Sequence, residues 1–168
     1  MSVLADVKLH LVNDLETANE MMRWLGERHH GEIAFDTETT GLDTVRDKVR
    51  LCQIGDGLHG WAIPYVQWGG VFLEALKKYE GNFIAHNLMY DVAMIRNDCG
   101  YLMPQDRCHD TMLQCRIAYP TYSAALKQAS ARLVDPAAGG LQDQLGNSLG
   151  KGWTWATVPI EYEPYWTY

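Results

Sequence analysis

The sequence predicts an α/β domain built on a mixed sheet, and three observations lead there. Three successive apolar runs, "EIAFDTE", "VRLCQIGD" and "GWAIPYV", are separated by short turn-forming stretches and read as an antiparallel meander. After them the pattern changes to alternating helix and strand, the signature of a sheet with helices on its faces. The chain has 168 residues, 47% hydrophobic and 21% charged, which suits one globular domain with a sizeable core.

Taken in order, "KLHLV" (8 to 12) has the look of a strand. "NDLETANEMMRWLGERHHG" follows as a helix, with Asn13 or Asp14 as its cap, Leu15, Ala18, Met22 and Leu25 at helical spacing, and Gly31 at its end. The three meander strands come next, with "GDGLHG" turning the chain between the last two. A helix from about Val71 to Tyr79 leads into "NFIAHN", a short strand. "LMYDVAMIRNDCG" then forms a helix through Leu88, Val92 and Ile95. "HDTMLQCRIAY" and "SAALKQASARLV" are two further helices separated by "PTY", and "DPAAGG" breaks the pattern. Residues 140 to 152 are glycine-rich and expected to pack loosely, and the tail "GWTWATVPIEYEPYWTY" is rich in aromatics. This gives five strands, with neither an internal repeat nor a long linker, and a single domain over residues 1–168.

Several classes are excluded. No apolar run approaches the roughly eighteen residues of a membrane span, and "MSVLADVKLHLV" lacks the basic start and apolar centre of a signal peptide. A soluble, cytoplasmic protein with no membrane partner is expected. The formal net charge of −7 argues against a long duplex-binding surface, while leaving room for a short nucleic-acid contact in which metal ions supply the positive charge. Cys52, Cys99, Cys108 and Cys115 form no CxxC pair and are expected as free thiols; Cys108, His109 and Cys115 are a weak zinc candidate.

The stretch with chemistry in it is "IAFDTETTGLD". Residues two apart on a strand point to one face, with Cα atoms roughly 6.5 to 7 Å apart, so Asp36 and Glu38 project together. Like charges about 4 Å apart in a partly buried setting repel by roughly 4 kcal/mol, and such a pair needs a cation, a shared proton or free water. Acids at strand ends often simply meet water or cap a turn, and "TTGLD" is turn-like. "AHNLMYD" shifts the balance: Asn87 and Asp91, four apart, lie on one helix face, and Asp91 brings a third carboxylate after a strand. Three such acids can hold two hard divalent cations through oxygen, an arrangement that activates water and stabilises both oxygens of a phosphoryl displacement.

"FDTETTGL" followed by "AHNLMYD" resembles the first two motifs of the DEDD exonucleases, a ribonuclease-H-like superfamily. Within it, "FIAHNLMYDVAMI" and "CHDTMLQCRI" resemble the 3'-5' proofreading domain of DNA polymerase I-like (family A) polymerases, particularly phage versions, over about residues 31 to 168. The resemblance implies a ribonuclease-H-like, five-stranded mixed sheet flanked by helices. It also implies two Mg2+ or Mn2+ ions, and hydrolysis of the terminal 3' nucleotide of single-stranded or frayed DNA to a 5'-monophosphate. It implies that Asp36 bridges both ions, that Glu38 ligates the tighter one and that Asp91 ligates the second partly through water. By the same resemblance Leu42 is an apolar wedge beside the terminal bases, the backbone around Thr39 contacts the terminal sugar, and Asn87 offers an amide to the substrate; the plain alternatives are Leu42 as a turn residue in the core, Thr39 as a strand cap, Asn87 as a helix cap and Asp91 as a surface residue. The implied partners are a single-stranded DNA 3' end and a polymerase domain in the same or another chain, in a phage or its bacterial host.

Family members carry a fourth acid in Tyr-x3-Asp or His-x4-Asp, and none of the nine tyrosines here is followed by aspartate four residues later. In similar domains the tail runs into the motif tyrosine, so Tyr168 takes that role, orienting the attacking water, and the domain is expected to be cut before its last motif. Asp110 in "HDTML" also matches a family position but reads as a helix cap. Trp153, Trp155, Tyr162, Tyr165 and Trp166 could stack bases, although packing is the commoner use. Lys127, Arg132 and Lys151 could flank a strand of DNA or be plain surface, and for His29 and His30, at a helix end, a charge-dipole role suffices. Two rival functions share the motifs: a ribonuclease D-type 3'-5' exoribonuclease, and a degenerate exonuclease fold that only binds single strands or docks on a polymerase.

Overall fold

A computed structural model describes residues 7–149 and 152–166. Its centre is a six-stranded mixed sheet in the order β1-β4-β3-β2-β5-β6, where β1 is Lys8–Leu11, β2 Glu32–Thr39, β3 Val49–Gly55, β4 His59–Pro64, β5 Asn82–Ala85 and β6 Cys108–Asp110. The expected meander is present: β2 pairs antiparallel with β3, and β3 with β4. The outer pairs, β1 with β4, β2 with β5 and β5 with β6, are parallel. Five strands were expected and six are found. The sixth is "CHD", three polar or small residues whose strand character comes only from pairing with β5, so no apolar period announces it.

Helices α1 (Leu15–Glu27), α2 (Tyr65–Lys78) and α3 (Leu88–Cys99) pack through their apolar faces on one side of this sheet. Asp14 caps α1 in a reciprocal box with Thr17, each side chain satisfying a backbone N–H of the other. The buried face of α1 is Ala18, Met21, Trp24 and Leu25, one position round from the expected stripe, and Leu15 is exposed. Helix α2 begins six residues before the expected Val71, because β4 stops at Pro64, which takes the cap position and cannot donate to the ladder. Ile33, Phe35, Phe72, Leu76, Phe83 and Ile95 fill the core, with Phe35 against Phe72 and edge-on to Phe83.

The other side of the sheet is covered by the end of the chain. Leu51 and Ala62 pack with Leu145, Val158 and Tyr165, all of them buried. The supposedly loose stretch from 140 contains helix α6 (Leu141–Ser148), whose Leu145 is a full member of this second core; glycines at its ends hid it. A short helix, α7 (Glu163–Trp166), follows. Arg50, half-buried near the start of β3, fastens the tail, donating to the carbonyls of Trp155 and Val158 and to the Tyr165 hydroxyl, with its guanidinium over the Tyr165 ring. Among the tail aromatics, Tyr165 is fully buried, Trp155, Tyr162 and Trp166 are partly buried against it, and Trp153 is exposed. All four cysteines are free thiols, and only Cys52 is fully buried. Among the described residues, no helix is long and apolar enough to cross a membrane.

Candidate active site

Asp36 and Glu38 leave the end of β2 on the face opposite Ile33 and Phe35, opposite Gln53 and Leu51 of β3. The strand alternates strictly up to this point and its register then shifts between Glu38 and Thr39, which frees the backbone for the following turn. Asp91 arrives from the first turn of α3, where it is 3% exposed. All three line one cleft of about 710 Å3. The floor and near rim are residues 36–42 with His86, Asn87, Tyr90 and Asp91; the far wall is Leu126, Lys127 and Ser130 of helix α5 (Leu126–Leu133), with Ala138 and Trp155.

The charge of Asp36 is coupled to those of both other acids. Its surface opens on the cleft, yet protein stands on most of its sides. That loss of water first, then the charges of Asp91 and Glu38, push its carboxyl well above the usual range. Burial pushes Asp91 up to about 6, opposed by the Thr37 hydroxyl, which donates to Oδ1 at 2.7 Å, and reinforced by Asp110. Repulsion of this kind is what a divalent cation relieves. The side chains offered are hard oxygen donors. The one imidazole in the cleft, His86, has both nitrogens at hydrogen-bond distance from other groups, Nδ1 at 2.9 Å from Thr111 Oγ1 and Nε2 at 2.8 Å from the Ala124 carbonyl. An all-oxygen set fits Mg2+ or Mn2+ better than zinc. The three acids do not close into a single cage, since among the described residues the one trio of metal-type ligand atoms all within 4.8 Å of one another lies elsewhere, at His29, His30 and Glu80.

The rim joins residues the sequence named, Thr39, Leu42 and Asn87, to two it did not, Tyr90 and Gly41. Tyr90 donates its hydroxyl to the Gly41 carbonyl at 2.8 Å and meets Thr39 Oγ1 at 2.7 Å, while Thr39 Oγ1 also donates to Gly41. A side chain at Gly41 would displace the Asp47 carboxylate, which a Cβ there would approach to 2.5 Å. This knot holds Leu42 at the lip of the cleft with 87% of its surface exposed, so Leu42 is not a core residue. Asn87 sits in the left-handed region at φ 64, a conformation asparagine tolerates. It makes no side-chain cap to α3, and its backbone N–H donates to Asp110 Oδ1. Asp110 is the cap of helix α4 (Thr111–Ala118), accepting from the N–H groups of Met112 and Leu113 as well. Lys127 lines the cleft, whereas Arg132 lies over the rings of Tyr119 and Tyr122. Tyr168 and Lys151 lie outside the described residues. Thr37 and Tyr90 were missed because each acts through a partner distant in sequence, |i−j| of 54 for Thr37 to Asp91 and 51 for Thr39 to Tyr90; their signal was only their place inside the two motifs.

Residues 9–151 match the 3'-5' exonuclease family of DNA polymerase A type. Over 118 residues, 65% of the chain, the sequence is 30% identical to a DNA polymerase of Mycobacterium phage L5, of which it spans only a fifth of the length. Among solved structures, the catalytic core of RRP6 from Trypanosoma brucei superposes with a TM-score of 0.67 at 18% identity, covering 99% of this chain and 44% of that one. Escherichia coli RNase D gives 0.59 at 19% identity over 94% and 40%, and Brucella melitensis NrnC with bound Mg2+ gives 0.58 at 18% over 99% and 74%. These likenesses establish the ribonuclease-H-like fold. With the family match covering most of its length, the chain belongs to the 3'-5' exonuclease family of DNA polymerase A type.

Proposed function

We propose that this chain is a two-metal 3'-5' exonuclease unit that removes terminal nucleotides, as 5'-monophosphates, from single-stranded or frayed DNA, serving a polymerase domain in the same or another chain. The observation that carries the proposal is the convergence of Asp36, Glu38 and Asp91 on one cleft, with the Asp36 carboxyl pushed up by burial and then by both neighbours. Asp36, Glu38 and Asp91 would hold the ions, Asp36 serving both. Two bound Mg2+ or Mn2+ ions supply Lewis-acid activation of water and stabilisation of charge on the leaving oxygen.

The remaining work falls to the chain itself. Thr37 fixes the rotamer of Asp91 by donating to Oδ1. With its hydroxyl spent in the Tyr90 and Gly41 knot, Thr39 is left to meet the terminal sugar through its backbone, and the knot fixes that backbone. Leu42 wedges against the terminal bases, Asn87 contributes an amide, and Lys127 and Trp155 on the far wall bring a charge and an aromatic face to the strand. Tyr168 orients the attacking water.

Asp36→Ala is expected to abolish Mg2+- or Mn2+-dependent release of mononucleotides from a 5'-labelled single strand, and to weaken Mn2+ binding measured by calorimetry at least tenfold. Undiminished digestion and binding would refute the assignment. The phage polymerase relative favours DNA, and matched DNA and RNA strands in the same assay decide between a deoxyribonuclease and a ribonuclease D-type enzyme. Strand binding that ignores metal would support the degenerate binding module instead.

A further inference from the structure

At the end of the sheet away from the carboxylate cleft, two turns meet. One joins α1 to β2 and carries His29 and His30; the other joins α2 to β5 and carries Glu80. Their backbones are locked together: the Glu80 N–H donates to the His29 carbonyl at 3.1 Å and the Asn82 N–H to the Gly31 carbonyl at 2.8 Å. The buried Tyr79 hydroxyl donates to that same Gly31 carbonyl at 2.9 Å. Gly81 packs so closely on this carbonyl that no side chain fits there, and a larger residue would force the turns apart.

This fixed frame presents three side chains to solvent. His29 Nε2 lies 3.4 Å and His30 Nδ1 3.6 Å from the same oxygen, Oε2 of Glu80. The two imidazole rings are 4.7 Å apart and tilted by 57°, so they are splayed rather than stacked. One ligand atom from each of the three residues lies within 4.8 Å of the others.

These separations carry chemical information. A tetrahedral ion with ligand bonds of about 2.0 to 2.1 Å requires ligand atoms about 3.4 Å apart. The two nitrogen-to-oxygen distances already meet that requirement. Hydrogen bonding between a carboxylate and an imidazole favours a shorter approach, near 2.8 Å. Two imidazoles and one carboxylate are also a donor set that borderline transition cations prefer and that magnesium does not.

We propose that His29, His30 and Glu80 form a surface site for a transition cation of the zinc class, with the fourth position left to water. Gly31 precedes Asp36 by five residues along an extended strand, roughly 16 Å, so the site is separate from the cleft. Its ligands come from both turns, so an ion bound there pins the α1–β2 connection to the α2–β5 connection.

The test uses tag-free chain carrying Asp36→Ala, which removes the central acid of the cleft, titrated with Zn2+ by calorimetry and with Co2+ by visible absorption. One equivalent of zinc and the visible bands of four-coordinate cobalt are expected. His29→Ala, His30→Ala and Glu80→Gln should each weaken binding at least tenfold. All three side chains are substantially exposed, so the variants should fold, with circular dichroism as the check. The proposal is overturned if zinc does not bind, if binding survives any of the three replacements, or if it is lost instead in Cys115→Ser, which would move the ion to the Cys108 and His109 region.

Discussion

Asp91 is held in place against its own charge, so replacing it with asparagine should make the metal-free protein more stable. The carboxyl is pushed up to about 6, from an ordinary value of 3.8, by burial. A raised folded-state value means that the folded chain binds the proton more tightly than the unfolded chain. The group's contribution to stability is therefore fully present below about pH 4 and is lost as the pH rises through about 6. A gap of about two units at about 1.4 kcal/mol each makes the ionised form cost about 3 kcal/mol at pH 8. Asparagine keeps the shape, still accepts from the Thr37 hydroxyl and has no charge to desolvate. It also removes one of the charges that push up Asp36, an effect in the same direction.

For a chain of this size, about 3 kcal/mol corresponds to a rise of roughly 6 to 12 °C in Tm. Urea denaturation of both proteins in EDTA between pH 4 and 8 measures the effect. The two stabilities should nearly meet at pH 4 and diverge above 6, with Asp91→Asn the more stable. Adding Mn2+ at pH 8 should then stabilise the wild-type chain far more than the variant. An Asp91→Asn protein no more stable than wild type at pH 8 in EDTA would refute the reasoning.

Other expectations follow from single contacts. Leu42→Ala should leave stability within about 0.5 kcal/mol, because the side chain is solvent-exposed, while raising KM for single-stranded 3' ends several-fold in a steady-state nuclease assay. Arg50→Ala removes the donor to the Trp155 and Val158 carbonyls and should cost about 3 kcal/mol in urea denaturation, with an early tryptophan fluorescence change as the tail releases. Asp110→Ala strips the cap from α4 and should cost about 1 to 2 kcal/mol in urea denaturation, because Oδ1 of that carboxylate accepts from the N–H groups of Asn87, Met112 and Leu113.

The meander and the helices after it were legible because their periods are strong: β2 alternates cleanly, and Leu88, Val92 and Ile95 mark the buried face of α3. What escaped was local structure decided by distant partners. β6 is a strand only because β5 lies beside it, and α6 is a helix whose Leu145 has value only against Val158 and Tyr165. The start of α2 was misplaced because an apolar run crossing Pro64 carries no sign of where strand becomes helix. In the cleft, the acids could be named from two short motifs, since strand and helix geometry alone bring them near one another. The knot of Thr39, Tyr90 and Gly41 and the Thr37 prop under Asp91 depend on how α3 sits across the end of β2, which no window of sequence contains.

The clasp made by Arg50 joins positions 105 and 108 residues apart along the chain. Contacts of such long range pay a large loop-closure entropy and tend to form late in folding. Trp155, one of the residues so fastened, also walls the cleft. A chain stopped short of Trp155 would therefore carry all three acids yet lack part of the wall that encloses them.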